Sequence, residues 1–217
     1  MNATEIKNLL ESTVLFNKGS IEFTLANIKT IIGDINIVGN VIQDWLKEFF
    51  NKNSIYYRIP SNTQEFPDFL LNTDSDKLDL LEVKCFTKSP NFDIANFSAY
   101  CRSLICNAYR LNSDYLIFEY SQCDNKMIEI QNIWLKKVWE ICGSSERAPI
   151  NLRWKQNQIY NIRPIRWFSD KNKNKPFKSR LEFINALESV LKQDSHYQKN
   201  WKRMVIDNYY SETGQEL

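Results

Sequence analysis

The order of apolar and polar residues predicts that the chain begins with helices. Apolar positions recur at helical spacing in three segments, at residues 6–15, 21–32 and about 37–50. Gly33 ends the second segment, and the third carries polar residues on its other side, namely Gln43, Asp44, Lys47 and Glu48. We therefore expect N-terminal helices over residues 1–35 and one more helix before the first strand.

After residue 50 the pattern changes to short apolar runs, which are typical of strands. Strands are predicted at residues 55–59, 67–71, 78–86 and 114–120, with a helix at 91–107. A polar turn at residues 72–76 joins the second and third strands into a hairpin. The last strand is almost continuously apolar, as expected for the buried middle of a sheet.

The remainder of the chain mixes short elements with a basic loop. The pattern predicts a strand at 127–133, a short helix at 138–142, a hairpin of strands 150–154 and 159–162, a loop at 163–178, and helices at 180–191 and 194–209. The order of elements predicts one α/β domain over residues 1–217, with its core at 36–121 and additions at 122–217.

Composition limits the class of protein. The chain is 43% hydrophobic and 25% charged, with 5 Gly and 6 Pro, which is typical of a globular domain. It has no apolar run long enough for a membrane span and no basic, apolar start of a signal peptide. Its five cysteines include no C-x-x-C pair, which favours free thiols. We expect a cytoplasmic protein with no membrane partner, and a surface position for the single histidine, His196.

Charge is distributed unevenly along the chain. Residues 1–135 hold 12 Lys and Arg against 17 Asp and Glu, whereas residues 136–208 hold 16 against 7. An acidic half that could hold a cation, followed by a basic half, suits a polyanionic substrate. The alternative is a set of solvated helix faces, and charge alone does not separate the two.

The strongest chemical pattern is Pro67-Asp68, followed by Glu82-Val83-Lys84. Side chains alternate along a strand, so Glu82 and Lys84 project from one face while Val83 points to the other. In a hairpin Asp68 can reach the same point. Two converging carboxylates favour a hard cation such as Mg²⁺, to which Val83 could offer its carbonyl. A lysine there can hold a water nucleophile and stabilise charge on a phosphate.

Each of these residues also has a structural explanation. Asp68 could cap a turn, and Glu82 could pair with Lys84 on an exposed strand face. However, Leu80, Leu81, Val83, Cys85 and Phe86 make the strand apolar on much of both faces. Glu82 and Lys84 should therefore be partly buried, and buried charges need partners.

These residues, within the αβ-β-αβ order at about 36–121, resemble the PD-(D/E)xK nuclease superfamily and its type II restriction endonucleases. Segments 89–95, 159–164 and 177–183 are most similar to small restriction enzymes of the NgoBV/NlaIV type. The resemblance implies a restriction-endonuclease-like core, in which helices flank a central mixed sheet. It also implies a Mg²⁺-dependent homodimer that uses activated water to cut both strands of DNA at a short palindrome.

The resemblance makes Asp68 and Glu82 metal ligands and Lys84 the catalytic lysine. Many members add a carboxylate from the helix before the sheet, but Gln43 stands at the corresponding position here. Asp44, ahead of Glu48, is the candidate to replace it as a metal ligand, and it is also possible that neither does. Otherwise both are polar-face residues.

Candidate DNA-binding residues lie in the basic half. Lys and Arg suit phosphates, whereas Arg, Asn and Gln also read base edges. The candidates are Arg153, Lys155, Gln156, Asn157, Gln158, Arg163 and Arg166. The alternative is a solvated loop.

Type II restriction is the leading functional hypothesis. A PD-(D/E)xK nuclease of repair or recombination would use the same three residues and would nick particular DNA structures. A DNA-binding module with an inactive nuclease core would bind DNA without cutting it, although the intact Asp68, Glu82 and Lys84 argue against this alternative.

Overall fold

The computed structural model describes residues 1–61, 66–193 and 197–217. The helices are α1 Ala3–Val14, α2 Val38–Lys52, α3 Phe97–Leu104, α4 Val138–Ile141, α5 Arg180–Leu191 and α6 Trp201–Thr213. The strands are β1 Lys18–Gly19, β2 Ile21–Leu25, β3 Ile28–Ile32, β4 Phe69–Leu70, β5 Leu80–Phe86, β6 Ala95–Asn96, β7 Asp114–Gln122, β8 Ile128–Lys137, β9 Leu152–Lys155 and β10 Gln158–Ile162. Within these described ranges no helix is long and apolar enough to cross a membrane.

The chain folds into two compact units. The first unit comprises Met1–Ser89 and Asp114–Lys136, and the second comprises Pro90–Ser113 and Lys137–Leu217. Each unit is therefore made of two separate stretches of chain. The assignment of residues 1–217 to a single nuclease domain stays a prediction.

A five-stranded sheet forms the centre of the first unit, in the order β1-β8-β7-β5-β4. β5 and β7 run parallel, whereas β4 pairs with β5, and β1 with β8, in antiparallel fashion. The sheet is therefore mixed, as predicted. Its core contains buried side chains from α1, α2, β5 and β7, among them Leu10, Leu46, Phe50, Leu81, Val83 and Phe118.

The N-terminal region differs from the prediction. α1 is a helix, begun by a capping box in which Asn2 accepts from the Glu5 backbone N–H and Glu5 accepts from that of Asn2. However, residues 21–32 form the β2–β3 hairpin, so the predicted helix there is wrong. Isoleucine and threonine are frequent in these residues, and β-branched side chains favour strands. Ala26 and Asn27 have φ of 48° and 64°, which makes a two-residue turn between the strands.

The second unit contains a three-stranded sheet in the order β6-β10-β9, with α3 to α6. The predicted helix at 91–107 begins only at Phe97, because Ala95 and Asn96 pair with β10 and the Asn96 side chain caps α3. The helix predicted at 194–209 covers Trp201–Thr213 instead. Part of that prediction, including His196, lies outside the described residues.

Most of the other predicted elements are confirmed. The hairpin of β9 and β10, the short α4 and the helix α5 lie where the pattern predicted them. β8 is longer than predicted and ends at Lys137. The predicted strand at 55–59 is reduced to one bridge between Arg58 and Leu70.

Candidate active site

The β4–β5 hairpin aligns the two predicted carboxylates. Phe69 pairs with Leu81 and Leu70 with Leu80, so the same register continued by one step sets Asp68 opposite Glu82. Asp68 is held there because its Oδ2 accepts a hydrogen bond from the Val83 N–H at 2.7 Å. The β4–β5 hairpin therefore has the register that brings Asp68 next to Glu82.

Glu82 and Lys84 project from one face of β5, as strand alternation predicted. The Lys84 Nζ lies 2.7 Å from the Glu82 Oε1, and the two side chains are only 20% and 10% exposed. Val83, between them, is buried in the core of the first unit. The two charged side chains are thus largely shielded from solvent. They form an ion pair with each other, and each also interacts with the charge of Asp68.

Burial controls the protonation of this cluster. Burial raises the pKa of Asp68 and outweighs the Val83 N–H and Lys84, which lower it. Burial likewise raises the pKa of Glu82, against the attraction of Lys84. Burial lowers the pKa of Lys84, but the charge and hydrogen bond of Glu82, together with the Asp68 carboxylate, raise it more, so the net shift is upward. Lys84 therefore stays protonated, whereas the two carboxyls ionise at a cost that a bound cation would relieve.

Helix α2 reaches this cluster through Gln43. The Gln43 side chain interacts with the Asp68 carboxyl as a hydrogen-bond partner and lowers the pKa of Asp68, and Lys47 acts on it by charge. By contrast, the Asp44 side chain is 76% exposed and accepts a hydrogen bond from the Lys47 Nζ at 2.7 Å. Glu48 is exposed as well. The structure does not bring Asp44 to the two carboxylates, because α2 turns Gln43 rather than Asp44 toward them.

The donor set suits a magnesium ion with few protein ligands. Within the described ranges, no group of three or more His, Cys, Asp or Glu side chains could hold a metal. Two carboxylates and a backbone carbonyl remain, and Mg²⁺ in proteins keeps several waters and uses one or two carboxylates. Asp68, Glu82 and the Val83 carbonyl fit that requirement.

The candidate DNA-binding residues lie in the second unit and differ in their exposure to solvent. Lys155, Gln156, Asn157 and Gln158 are exposed at the tip of the β9–β10 hairpin. Gln156 and Asn157 have φ of 50° and 61° and form a two-residue turn between the strands. The Lys155 Nζ lies 5.3 Å from the centre of the exposed Tyr160 ring. The tip therefore offers one cation, three amides and an aromatic surface.

The arginines of this group are tied to the protein to different degrees. The Arg163 Nε lies 2.6 Å from the Asp93 Oδ1, and its Nη1 donates to the Asn91 carbonyl. Arg153 is half exposed and lies 3.4 Å from the other Asp93 oxygen. Arg166 is exposed. Arg163 thus has a structural role that the sequence pattern did not indicate, in joining β10 to the segment before β6.

Comparison with known proteins identifies the family. The family model described as NgoBV restriction endonuclease matches residues 1–217. This chain belongs to the NgoBV restriction endonuclease family. The type II restriction enzyme NlaIV of Neisseria lactamica is 40% identical over 209 residues, which cover 94% of this chain and 86% of NlaIV. The type II restriction enzyme NgoBV of Neisseria gonorrhoeae is 36% identical over 158 residues, which cover 69% of this chain and 86% of NgoBV.

A solved structure of NlaIV restriction endonuclease matches this member of the NgoBV family throughout. The TM-score is 0.93 at 36% identity, over 100% of this chain and 92% of that one. The predicted restriction-endonuclease-like fold and the prediction of a type II restriction endonuclease are both confirmed. A repair nuclease and an inactive DNA-binding module are accordingly disfavoured.

Proposed function

We propose that this protein acts as a homodimer that uses Mg²⁺ to hydrolyse both strands of double-stranded DNA at a short palindromic site. The observation that carries the proposal is the cluster in which Asp68 stands opposite Glu82 while Lys84 lies 2.7 Å from Glu82. A buried and a half-buried carboxylate beside a protonated lysine can hold a cation and a phosphate side by side.

Asp68, Glu82 and the Val83 carbonyl would hold the Mg²⁺ ion. When bound, the ion supplies positive charge at the phosphate and lowers the pKa of the attacking water. Lys84 is a donor rather than a base, because Glu82 keeps its pKa above the usual value. Its ammonium orients the water and stabilises the charge that develops on the phosphate. The bond from water oxygen to phosphorus would form as the bond from phosphorus to the 3′ oxygen breaks. The water releases a proton to solvent and the 3′ oxygen takes one up, which leaves a 3′-hydroxyl and a 5′-phosphate end.

Alanine substitution in the cluster tests the proposal. We expect Lys84→Ala and Asp68→Ala to abolish plasmid cleavage while both proteins still shift DNA in a gel. The matched control is Lys52→Ala, which removes an exposed lysine at the end of α2 and should cleave like the wild type. EDTA should stop wild-type cleavage, and added Mg²⁺ should restore it. Full activity of either cluster variant would show that the residues are wrongly assigned.

The β9–β10 hairpin is our candidate for reading the DNA sequence. Its tip can enter a groove, where the Gln156 and Asn157 amides can pair with base edges. Glycine accepts positive φ without strain, so Gln156→Gly with Asn157→Gly keeps the turn and removes only the amides.

We expect this double variant to lose about tenfold or more in its preference for the cognate site over other DNA, because each good base contact is worth about 1–3 kcal/mol. Competition binding with the two DNAs measures the preference. Gln193→Ala, an exposed glutamine elsewhere in the second unit, is the control. An unchanged preference in the double variant would remove the turn from the reading surface.

We further propose that the protein assembles as a homodimer in the cytoplasm. A palindrome has two-fold symmetry, and a two-fold dimer sets one catalytic cluster at each strand. The five cysteines are free thiols, which agrees with a reducing compartment. We place the enzyme in the cytoplasm, where it meets DNA that enters the cell.

A further inference from the structure

Two arginines of the second unit converge on a single carboxylate. The Asp93 Oδ1 lies 2.6 Å from the Arg163 Nε, and the Asp93 Oδ2 lies 3.4 Å from the Arg153 Nη1. Arg153 on β9 pairs with Asn161 on β10, and Arg163 follows two residues after Asn161. Side chains alternate along a strand, so both arginines lie on one face of the three-stranded sheet. One carboxylate is thus shared by two cations.

The pair of Asp93 with Arg163 is the fixed part of this cluster. The Arg163 side chain is 20% exposed, and its Nη1 also donates to a backbone carbonyl of the segment before β6. The backbone next to Asp93 is held as well, because the Ile94 N–H donates to the Ile162 carbonyl at 3.0 Å. Asp93 therefore presents its second carboxylate oxygen to Arg153 from a fixed position.

Arg153 is the arginine that can still bind a ligand. Its side chain is 50% exposed, and its Nη1 donates to the Asp93 Oδ2 over the long distance of 3.4 Å. A guanidinium has five N–H donors in one plane, so most of them can bind a second group while Asp93 holds the first. Arg153 thus has a defined orientation and unused donors.

We propose that Asp93 is a positioning residue, which holds the Arg153 guanidinium in the orientation that reads a base edge of the DNA. The inference deepens the proposed function and rests on its contact between the β9–β10 hairpin and DNA. An arginine reads a base best through two parallel hydrogen bonds, and in the major groove guanine offers the two acceptors O6 and N7. An arginine that is oriented before binding loses less side-chain entropy when this contact forms.

The charge of Asp93 favours base reading over phosphate binding by Arg153. A carboxylate beside an arginine repels phosphates and cancels part of the attraction that the arginine exerts on them. A base edge carries no net charge, so there the gain in orientation outweighs this loss. Exposed cations that can serve phosphates are present elsewhere in the same unit, for example Lys171 and Lys173.

The variant Asp93→Asn tests the proposal, because it removes the charge and keeps the size of the side chain. DNA duplexes with a randomised central segment are digested with Mg²⁺, and sequencing of the cut DNA gives the base preference at each position. We expect Arg153→Ala to lower the preference for guanine at one position of each half-site by about tenfold or more. Asp93→Asn should lower it at the same position by about threefold to tenfold, since it loosens the contact without removing it.

Three further variants serve as controls. Asp170→Asn makes the same chemical change at an exposed residue of the loop before α5 and should keep the wild-type preference. Asp93→Asn combined with Arg153→Ala should be no worse than Arg153→Ala alone, because Asp93 acts through Arg153. Arg153→Lys keeps the charge without the planar fork, so it should lose the same guanine preference while it still binds DNA of unrelated sequence.

A second measurement covers the case in which Asp93→Asn does not fold. The ¹⁵N relaxation of arginine Nε groups reports order on the picosecond to nanosecond timescale. In the wild type without DNA, the Arg153 Nε should be nearly as ordered as that of Arg163 and more ordered than that of the exposed Arg147. Equal disorder at Arg153 and Arg147 would contradict the proposal.

The possible results separate this inference from the proposed function. If Asp93→Asn keeps the wild-type preference, relaxes all positions equally, or relaxes a position that Arg153→Ala leaves unchanged, Asp93 does not position Arg153, and Mg²⁺-dependent cleavage stands. A shared position that specifies adenine or thymine overturns the guanine contact. A wild type that cuts no member of the randomised library overturns the proposed function itself.

Discussion

At Gln43 the proposed catalytic cluster has a neutral amide where an acid could stand. α2 turns this side chain toward Asp68, while the neighbouring Asp44 is exposed and occupied by Lys47. The cluster thus has two carboxylates and one protonated lysine, which makes its net charge with both carboxylates ionised close to −1. A cation of charge +2 would then be held without an excess of negative charge.

Gln43→Glu should therefore strengthen metal binding. A third carboxylate about 6 Å from a divalent ion contributes about 1.4 kcal/mol even at the dielectric constant of water, so the affinity should rise about tenfold or more. Calorimetric titration of the DNA-free protein with Mg²⁺ measures this effect. Asp44→Asn is the control and should leave the affinity unchanged. Weaker Mg²⁺ binding by Gln43→Glu would mean that Gln43 does not face the ion.

The cysteines should differ in reactivity according to burial. Cys106 is exposed, whereas Cys101 and Cys142 are buried and have a raised pKa because of that burial. Burial also raises the pKa of Cys85 to about 12, so this residue stays a thiol across the usual pH range.

We expect a thiol reagent at pH 8 to modify Cys106 first and to leave Cys85, Cys101 and Cys142 largely unmodified, because the thiolate is the reactive form. Peptide mass spectrometry after timed labelling identifies the modified residues. In denaturant all five cysteines should react. Rapid labelling of Cys142 in the folded protein would contradict its burial.

The three cluster residues could be predicted from the sequence because their arrangement is local. Strand alternation joins Glu82 to Lys84, and a short hairpin brings Asp68 to the same point. The role of Gln43 could not be predicted in the same way. It depends on how α2 packs against the sheet, and helical spacing alone left Gln43, Asp44 and Glu48 open. Likewise, the pairing of Arg163 with Asp93 joins residues far apart in the sequence.

At the scale of elements, composition and period gave different answers for the N-terminal region. Residues 21–32 have apolar positions that fit a helical period, but their β-branched residues and the turn at Ala26–Asn27 produce a hairpin. The strand β7 was predicted correctly because its apolar run is short and rich in aromatic residues, which favours a strand over a helix. The spacing of apolar residues is thus least reliable for an exposed element, because no core requires its apolar side chains to lie on one face.

Helix α5 depends on a defined cap. The Ser179 Oγ accepts a hydrogen bond from the Glu182 N–H at 3.2 Å, and the Glu182 carboxylate accepts one from the Lys178 N–H at 2.7 Å. We expect Ser179→Ala to lower the free energy of unfolding by about 1 kcal/mol, as measured by urea denaturation. Ser189→Ala, in the body of the same helix, should change it by less than about 0.5 kcal/mol. If the two variants lost equal free energy of unfolding, Ser179 would not stabilise α5 as a cap.

At the scale of the whole molecule, the basic residues after position 135 should dominate DNA affinity. Each neutralised phosphate releases counterions, so binding weakens steeply with salt. If six or more phosphates are contacted, raising NaCl from about 50 to about 200 mM should weaken binding by about 10³-fold or more. Fluorescence anisotropy of labelled DNA measures the dissociation constant at each salt concentration, with Ca²⁺ in place of Mg²⁺ so that the DNA is not cut. Affinity that hardly changes with salt would exclude this mode of binding.

The two interleaved units have a consequence for synthesis. A ribosome that has released residues 1–89 has delivered Asp68, Glu82 and Lys84, but β7 and β8 of the same sheet come only after residue 113. β5 therefore lacks its parallel neighbour until residues 90–113, which belong to the second unit, have also emerged. The nascent chain thus passes through a period with the three proposed catalytic residues exposed on an unfinished sheet, and DNA-cutting competence is delayed until most of the polypeptide has been made.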